Sequence, residues 1–128
     1  MKKNFIFIFI ILGLFVSCSN NRLSLIKNKD YLIKLNRKLG TYAQKNQMWK
    51  EAAYRWKRVV ELNPNDYKAH NNLAIAYEAL GEYQKAEKEY RLALNLSHNN
   101  DFIRSNYEKF KNKEKSGQKV RHKKFRKF

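Results

Sequence analysis

The chain has 128 residues and carries 28 Lys and Arg against 11 Asp and Glu, which gives a formal net charge of +17. This length excludes a two-domain enzyme, because one domain usually takes about 100–200 residues. The charge favours an acidic partner such as nucleic acid, anionic lipid or an acidic glycan. A single cysteine excludes an internal disulfide and a structural zinc site built on cysteine pairs.

The N-terminal residues have the pattern of an export signal. Lys2 and Lys3 precede an uncharged apolar run over residues 5–16, and small polar residues follow it. These twelve residues match the apolar segment of a signal peptide. They fall short of the roughly 20 apolar residues that a spanning helix needs. A permanent transmembrane helix is therefore the weaker interpretation.

The stretch LFVSC at residues 14–18 resembles a bacterial lipoprotein signal, in which the cysteine after a small residue becomes the lipidated mature N-terminus. The resemblance implies a signal peptide over 1–17 and a diacylglyceryl group on Cys18. Acyl chains contribute about 0.8 kcal/mol per buried methylene, so two or three of them hold a domain on a bilayer. The implied location is the bacterial cell membrane or outer membrane, with the chain periplasmic or surface-exposed. Ordinary cleavage after Ser19, which would discard Cys18, and a chance cysteine remain alternatives.

The middle of the chain repeats itself with a period of 34 residues. Small residues such as Gly40 and Ala86 let antiparallel helices approach closely, and large apolar residues at three- and four-residue spacing fill the seam between them. This pattern predicts tandem helical hairpins with helices at 30–46, 48–62, 67–80, 83–96 and 101–114. Eight positions match across the period: Leu39 and Leu73, Gly40 and Ala74, Trp49 and Tyr83, Ala52 and Ala86, Trp56 and Tyr90, Val60 and Leu94, Leu62 and Leu96, Asn65 and Asn99.

The spacing Leu73-Ala74-x2-Tyr77, with Gly81 and Ala86-x3-Tyr90 after it, resembles the tetratricopeptide repeat (TPR). The resemblance implies an all-α fold, a short α-solenoid of two TPR hairpins followed by a capping helix that begins at Asp101. Because about three repeats are usually needed for stability, self-association or a docked partner is expected. The copies depart from the pattern at Asn36, Ala43, Gln47, His70 and His98.

The repeat divides the mature chain into three parts: a tether over 18–29, a TPR domain over 30–114 and a basic tail over 115–128. From Lys109 onward ten Lys and Arg stand against Glu114 alone, so the tail is predicted to be disordered. Phe125 and Phe128 alternate with charges, as in segments that lie on anionic bilayers. A merely solubilising tail is the alternative. The candidate tail residues are Lys119, Arg121, Lys123, Lys124, Arg126 and Lys127.

No set of residues suggests catalysis, a cofactor or a metal. The three histidines have no metal-binding spacing, and the four glycines form no phosphate loop. His70 is expected at the edge of a helix pair and His98 in a turn. The repeat register assigns five aromatic residues to the core: Trp49, Trp56, Tyr77, Tyr83 and Tyr90.

The first helix of each hairpin is expected to line a concave groove. Some TPR domains hold a peptide's terminal carboxylate there, and Arg37 and Asn72 lie in comparable places. Phe102 and Asn106 stand where that site would need basic groups, and a solvated helix face is the alternative. The candidate groove residues are Lys34, Arg37, Lys38, Thr41, Lys68, Asn71, Asn72 and Ile75.

These patterns predict a membrane-anchored interaction module or assembly adaptor of the bacterial envelope, with an envelope protein or peptide as partner. The other hypothesis is an electrostatic binder of anionic lipid, cell-wall polymer or nucleic acid that acts through the tail. An export signal disfavours nucleic acid, because an exported protein does not normally meet it in the cytoplasm.

Overall fold

The computed structural model describes the backbone of residues 25–125 and the side chains of residues 25–116. Within that part the regular structure consists of five helices and no strand. In chain order they are α1 (25–45), α2 (Trp49–Leu62), α3 (Tyr67–Ala79), α4 (Tyr83–Leu96) and α5 (Asp101–Phe125). Helices α2, α3 and α4 keep the predicted bounds to within one residue, and the predicted all-α architecture is confirmed.

Two equivalent turns fold the chain into hairpins, α1 with α2 and α3 with α4. In both turns a backbone N–H donates to the carbonyl five residues earlier at 2.9 Å, from Met48 in the first and from Glu82 in the second. The residue before each donor has a positive φ, 56° at Gln47 and 76° at Gly81. This is the usual way in which a left-handed residue satisfies the last carbonyls of a helix.

Side-chain caps begin the helices that follow the inter-hairpin loops. Asp66 Oδ1 accepts the backbone N–H of Ala69 at 3.1 Å and caps α3. Asn100 Oδ1 accepts the N–H groups of Phe102 at 3.1 Å and Ile103 at 3.4 Å at the start of α5. Each cap satisfies donors that lack a partner within the helix, so the predicted turn residues fix where α3 and α5 begin.

The first hairpin packs around Trp56, which is 4% exposed. Helix α1 passes so close that a Cβ built on Gly40 would lie 2.9 Å from Trp56 Cε2. The indole N–H donates to Gln44 Oε1 at 3.2 Å, which satisfies the polar atom of the buried ring. A small residue at position 40 is therefore what lets α1 and α2 approach.

The second hairpin packs around Tyr90, which is 1% exposed and clusters with the fully buried Ala74 and Ala86. Phe110 of α5 joins this cluster, with its ring centroid 5.3 Å from that of Tyr90. Helix α5 therefore covers the last apolar face of the array, which is the role of a capping helix.

The core assignment of the aromatic residues is wrong at Tyr83 and holds only partly at two others. Trp56 and Tyr90 are buried, Trp49 and Tyr77 are partly buried, and Tyr83 is 43% exposed. Tyr83 is the first residue of α4, and its ring centroid lies 6.3 Å from that of Phe110.

Two predicted boundaries are also wrong. Helix α1 already includes residues 25–29, which were expected in the tether, because Gly13 and Gly40 enclose a stretch without a helix breaker. Helix α5 continues to Phe125, so residues 115–125, expected to be disordered, have a helical backbone. Lys, Arg and Gln dominate that stretch and have high helix propensity, and Gly117 alone does not end the helix.

Within residues 25–125, no helix is long and apolar enough to cross a membrane. The predicted signal peptide over 1–17 and the candidate lipidation residue Cys18 lie outside the described residues.

Candidate functional site

Helices α1, α3 and α5 share one face of the molecule, and side-chain contacts join each to the next. Arg37 of α1 binds Asp66 at the start of α3. Asn106 of α5 donates to Asn71 Oδ1 of α3 at 3.1 Å. The first helices of the hairpins and the capping helix therefore line a common surface, as in a solenoid.

Two adjoining cavities open beside α1, and we call them together the groove: the larger lies between α1 and the start of α3, and the smaller is lined by residues of α1 alone. One has a volume of about 500 Å³ and the other about 380 Å³, and they share Arg37 and Thr41. The larger cavity also contacts Lys68 and Asn72, and the smaller one contacts Lys38. Five of the eight candidate groove residues thus lie at this site.

Arg37 is anchored within the groove. Its Nη2 lies 2.5 Å and its Nε 3.1 Å from Asp66 Oδ2. Asp66 has a side chain that is only 6% exposed and also caps α3, so the guanidinium holds two helices together. Half of the Arg37 side chain remains exposed, at 49%. Its first role is therefore structural, with donor capacity left for a ligand.

The lysines of the groove are in a different position. Lys38 and Lys68 are exposed, and neither makes an ion pair with another described residue. Among the described residues that line the two cavities, Asp66 is the only carboxylate, and Arg37 already pairs with it. The groove therefore presents uncompensated positive charge and accepts an anionic group.

Three candidate groove residues lie differently from the expectation. Asn71 is 4% exposed, and its carbonyl accepts from Asn106, so the amide joins α3 to α5. Lys34 lies on α1 outside the two cavities, and Ile75 lines a separate cavity against α5. The sequence predicted that Asn71 lies on the groove face of α3, but it did not predict that Asn106 of α5 covers this side chain. Helical spacing indicates which face of a helix a residue occupies, and it does not indicate which side chain from a distant helix packs against that residue.

A buried charged pair lies behind the groove, between α3 and α4. His70 Nδ1 lies 2.6 Å from Glu89 Oε2, and His70 Nε2 lies 2.8 Å from the carbonyl oxygen of Pro64. Burial acts to lower the pKa of His70, but the hydrogen bonds to Glu89 and Pro64 and the charges of Glu89 and Asp66 outweigh it, so the pKa lies above its usual value. Two acceptors require two N–H donors, which only the imidazolium has.

The basic tail can be placed only by its backbone. Residues 119–124 lie on α5, whereas Arg126 and Lys127 lie outside the described residues. In residues 25–116, no cluster of three or more His, Cys, Asp or Glu side chains could hold a metal ion.

Comparison with known families supports the assignment of the fold. The family model of the tetratricopeptide repeat matches residues 56–88, which run from within α2 to within α4. The C-terminal TPR-containing domain of a Plasmodium falciparum protein described as FK506-binding superposes with a TM-score of 0.69 at 32% sequence identity. The match covers 74% of this chain and 63% of that one. The fold is a short α-solenoid of two TPR hairpins and a capping helix.

A curated relative is a protein O-mannosyl-transferase of Caenorhabditis elegans, which is 27% identical over 94 residues. The aligned stretch is 73% of this chain but only 13% of the nematode protein. This chain therefore spans less than two thirds of either relative.

Proposed function

We propose that this chain is a lipid-anchored TPR module of the bacterial envelope, which recruits or assembles other envelope proteins through the groove. The TPR fold supports the general role, because solenoids of this kind present extended concave surfaces to protein partners.

The observation that carries the proposal is the charge of the groove. Lys38 and Lys68 flank cavities in which the one lining carboxylate is already neutralised. A peptide segment rich in Asp and Glu fits this surface, because opposite charges speed association and exclude partners of the wrong sign. Such a partner also agrees with the chain's net charge of +17.

The test compares two double variants that change the net charge equally. Lys38→Glu with Lys68→Glu reverses the groove, whereas Lys57→Glu with Lys88→Glu reverses two exposed lysines on the second helices of the hairpins. Arg37 is left intact, because its loss would break the contact with Asp66. Each bait is used to capture partners from envelope extract, and the partners are identified and quantified by mass spectrometry. We expect the groove variant to lose specific partners that the control retains; equal loss in both would refute the proposal.

Membrane attachment is the second part of the proposal, and it rests on the position of Cys18 after the apolar run. Growth with a clickable fatty acid should label the wild type and leave Cys18→Ser unlabelled. A mature N-terminus at Asn20 would show ordinary cleavage instead and would remove the anchor from the proposed function.

The helical extension of α5 favours one other function, electrostatic binding to an anionic surface. Its backbone is helical to Phe125, so the basic residues between 115 and 124 lie along a single helix. Removal of residues 118–128 should then abolish binding to phosphatidylglycerol vesicles, and binding by the intact chain should weaken steeply as salt rises to about 0.15 M. Partner capture that survives this truncation would favour the groove.

A further inference from the structure

A cavity of about 510 Å³ lies on the same face as the groove, where α3 meets α5, and we call it the α3–α5 pocket. Ile75 and Ala79 of α3 contribute apolar surface to it, and Lys109 and Lys113 of α5 contribute positive charge. The ring of Trp49, at the start of α2, lines it as well. None of these residues except Ile75 was expected to bind anything.

Tyr83 and Trp49 give the pocket an aromatic wall. They occupy the same place in the two repeats, and both are accessible where the repeat pattern predicts core. Trp49 and Tyr83 both line the cavity, and among the described residues neither the Trp49 indole N–H nor the Tyr83 hydroxyl has a hydrogen-bond partner. Aromatic rings with an available polar end are favoured at protein interfaces.

The acidic residue of the pocket is already neutralised. Glu78 Oε1 accepts from Lys113 Nζ at 2.8 Å, and Glu78 Oε2 accepts from the Tyr90 hydroxyl at 3.0 Å. Lys109 makes no ion pair with another described residue. The groups left for a ligand are therefore donors and apolar surface, which fit an acceptor-rich, negatively charged ligand with an apolar part.

We propose that the α3–α5 pocket binds an apolar side chain that is flanked by acidic residues, in a peptide segment of another protein. Lys109 contacts a flanking carboxylate, and the aromatic wall and Ile75 contact the apolar side chain. The chain's own ends are unsuitable occupants, because residues 1–24 and 117–128 contain no Asp or Glu. A second copy is repelled by the net charge of +17.

The proposal rests on the proposed function, since it makes the pocket a second contact for a peptide on the same face. It adds a requirement that the groove alone does not impose, which is an apolar residue inside an acidic sequence. Terminal carboxylates are not needed, so the probes are acetylated and amidated.

The two tryptophans allow a direct test. The full chain, labelled with 5-fluorotryptophan in neutral detergent micelles, gives two fluorine resonances, which Trp49→Phe assigns. It is titrated with acetyl-Glu-Glu-Leu-Glu-Glu-amide and with the matched peptide that has Ala in place of Leu. We expect the Trp49 resonance to shift and the Trp56 resonance to stay, and the Leu peptide to bind about tenfold more tightly.

Lys109→Glu should weaken binding of the Leu peptide about threefold or more, whereas Lys57→Glu, with the same charge change, should leave it nearly unchanged. Equal binding of the two peptides, an unmoved Trp49 resonance, or equal effects of the two lysine variants would overturn the proposal. So would a Trp49 shift that follows protein concentration without peptide, since a second copy would then be the occupant. If peptide binding responds to Lys38→Glu with Lys68→Glu but not to Lys109→Glu, the groove stands and the pocket proposal fails. If neither the groove double variant nor Lys109→Glu weakens peptide binding, both the groove proposal and the pocket proposal fail.

Discussion

The two repeats solve the same packing problem with different residues. In the first, Gly40 faces Trp56, and in the second, Ala74 and Tyr90 occupy the equivalent positions 34 residues later. A methyl group at Gly40 would lie 2.9 Å from the Trp56 ring, whereas the smaller ring of Tyr90 leaves room for Ala74. The distance between the two helices of a hairpin is therefore set by the combined volume of two facing side chains. A larger residue at one position requires a smaller residue at the other.

A second contrast concerns buried polar groups. Asn36 and Arg55 in the first repeat stand where the second has His70 and Glu89. Arg55 Nη1 donates to Asn36 Oδ1 at 3.4 Å, whereas His70 and Glu89 lie 2.6 Å apart. The same two positions thus hold a long contact in one repeat and a short charged pair in the other, so only the second repeat should respond to pH near neutrality.

The largest expected effect comes from filling the close approach of the second hairpin. Ala86→Leu adds three carbons at a fully buried position and should lower the free energy of unfolding by about 3 kcal/mol. Ala52→Leu, its equivalent in the first repeat, should cost a similar amount, and Ala79→Leu at an exposed position serves as control. Urea denaturation measures all three. If Ala86→Leu were as stable as the control, the equivalence of the two repeats would be wrong.

Gly40→Ala tests whether the side-chain volumes at positions 40 and 56 must compensate each other. The added methyl should cost about 1–2 kcal/mol, because Trp56 cannot move away without disturbing α2. Trp56→Tyr should recover part of this loss, since it gives the first repeat the pair found in the second. A double-mutant cycle measures the coupling free energy, and strictly additive effects would contradict the comparison.

The sequence predicted the helix boundaries well where helix-breaking residues separate the helices. Gly81 and the loop from Asn63 to Asp66 fix the ends of α2, α3 and α4, and the 34-residue period assigns them to hairpins. The outer ends of α1 and α5 were missed, because no proline or effective breaker lies there and charge alone does not stop a helix.

The candidate site was predictable in its exposed charges but not in its long-range contacts. Helical spacing places Lys38 and Lys68 at the surface, and the structure agrees. The ion pair between Arg37 and Asp66 joins residues 29 apart in the chain, and no local pattern indicates it. The exposure of Tyr83 was missed for a related reason, since its position at the edge of a short array decides how much of the ring is covered.

The hairpin turns give a smaller effect of opposite sign in the two repeats. Gln47 holds a left-handed φ of 56°, which strains a residue with a Cβ, so Gln47→Gly should raise the free energy of unfolding by about 0.5 kcal/mol after the entropy of the unfolded chain is counted. Gly81→Ala should lower it by about 1 kcal/mol through the same strain. Thermal unfolding of both variants measures this, and a shift of the same sign in both would show that the turns differ.

The smallest effect is expected from pH, and it should belong to the second repeat. The groups that face His70 are Glu89 from α4, Asp66 at the start of α3 and the carbonyl of Pro64 in the loop, and together they hold its pKa above the usual value. A raised pKa in the folded state means that the stabilisation is complete below about pH 6.5 and is lost as pH rises through the folded-state pKa.

The free energy of unfolding should therefore fall as the pH rises above about 6.5, as urea denaturation can measure. His70→Asn with Glu89→Arg gives the second repeat the polar pair of the first and should remove this fall. His98→Asn, which deletes an exposed imidazole in the turn after α4, should keep it. If the free energy of unfolding of the double variant still falls over this pH range, the pH dependence arises from other groups. The difference between the two polar pairs would then have no effect on stability near neutral pH.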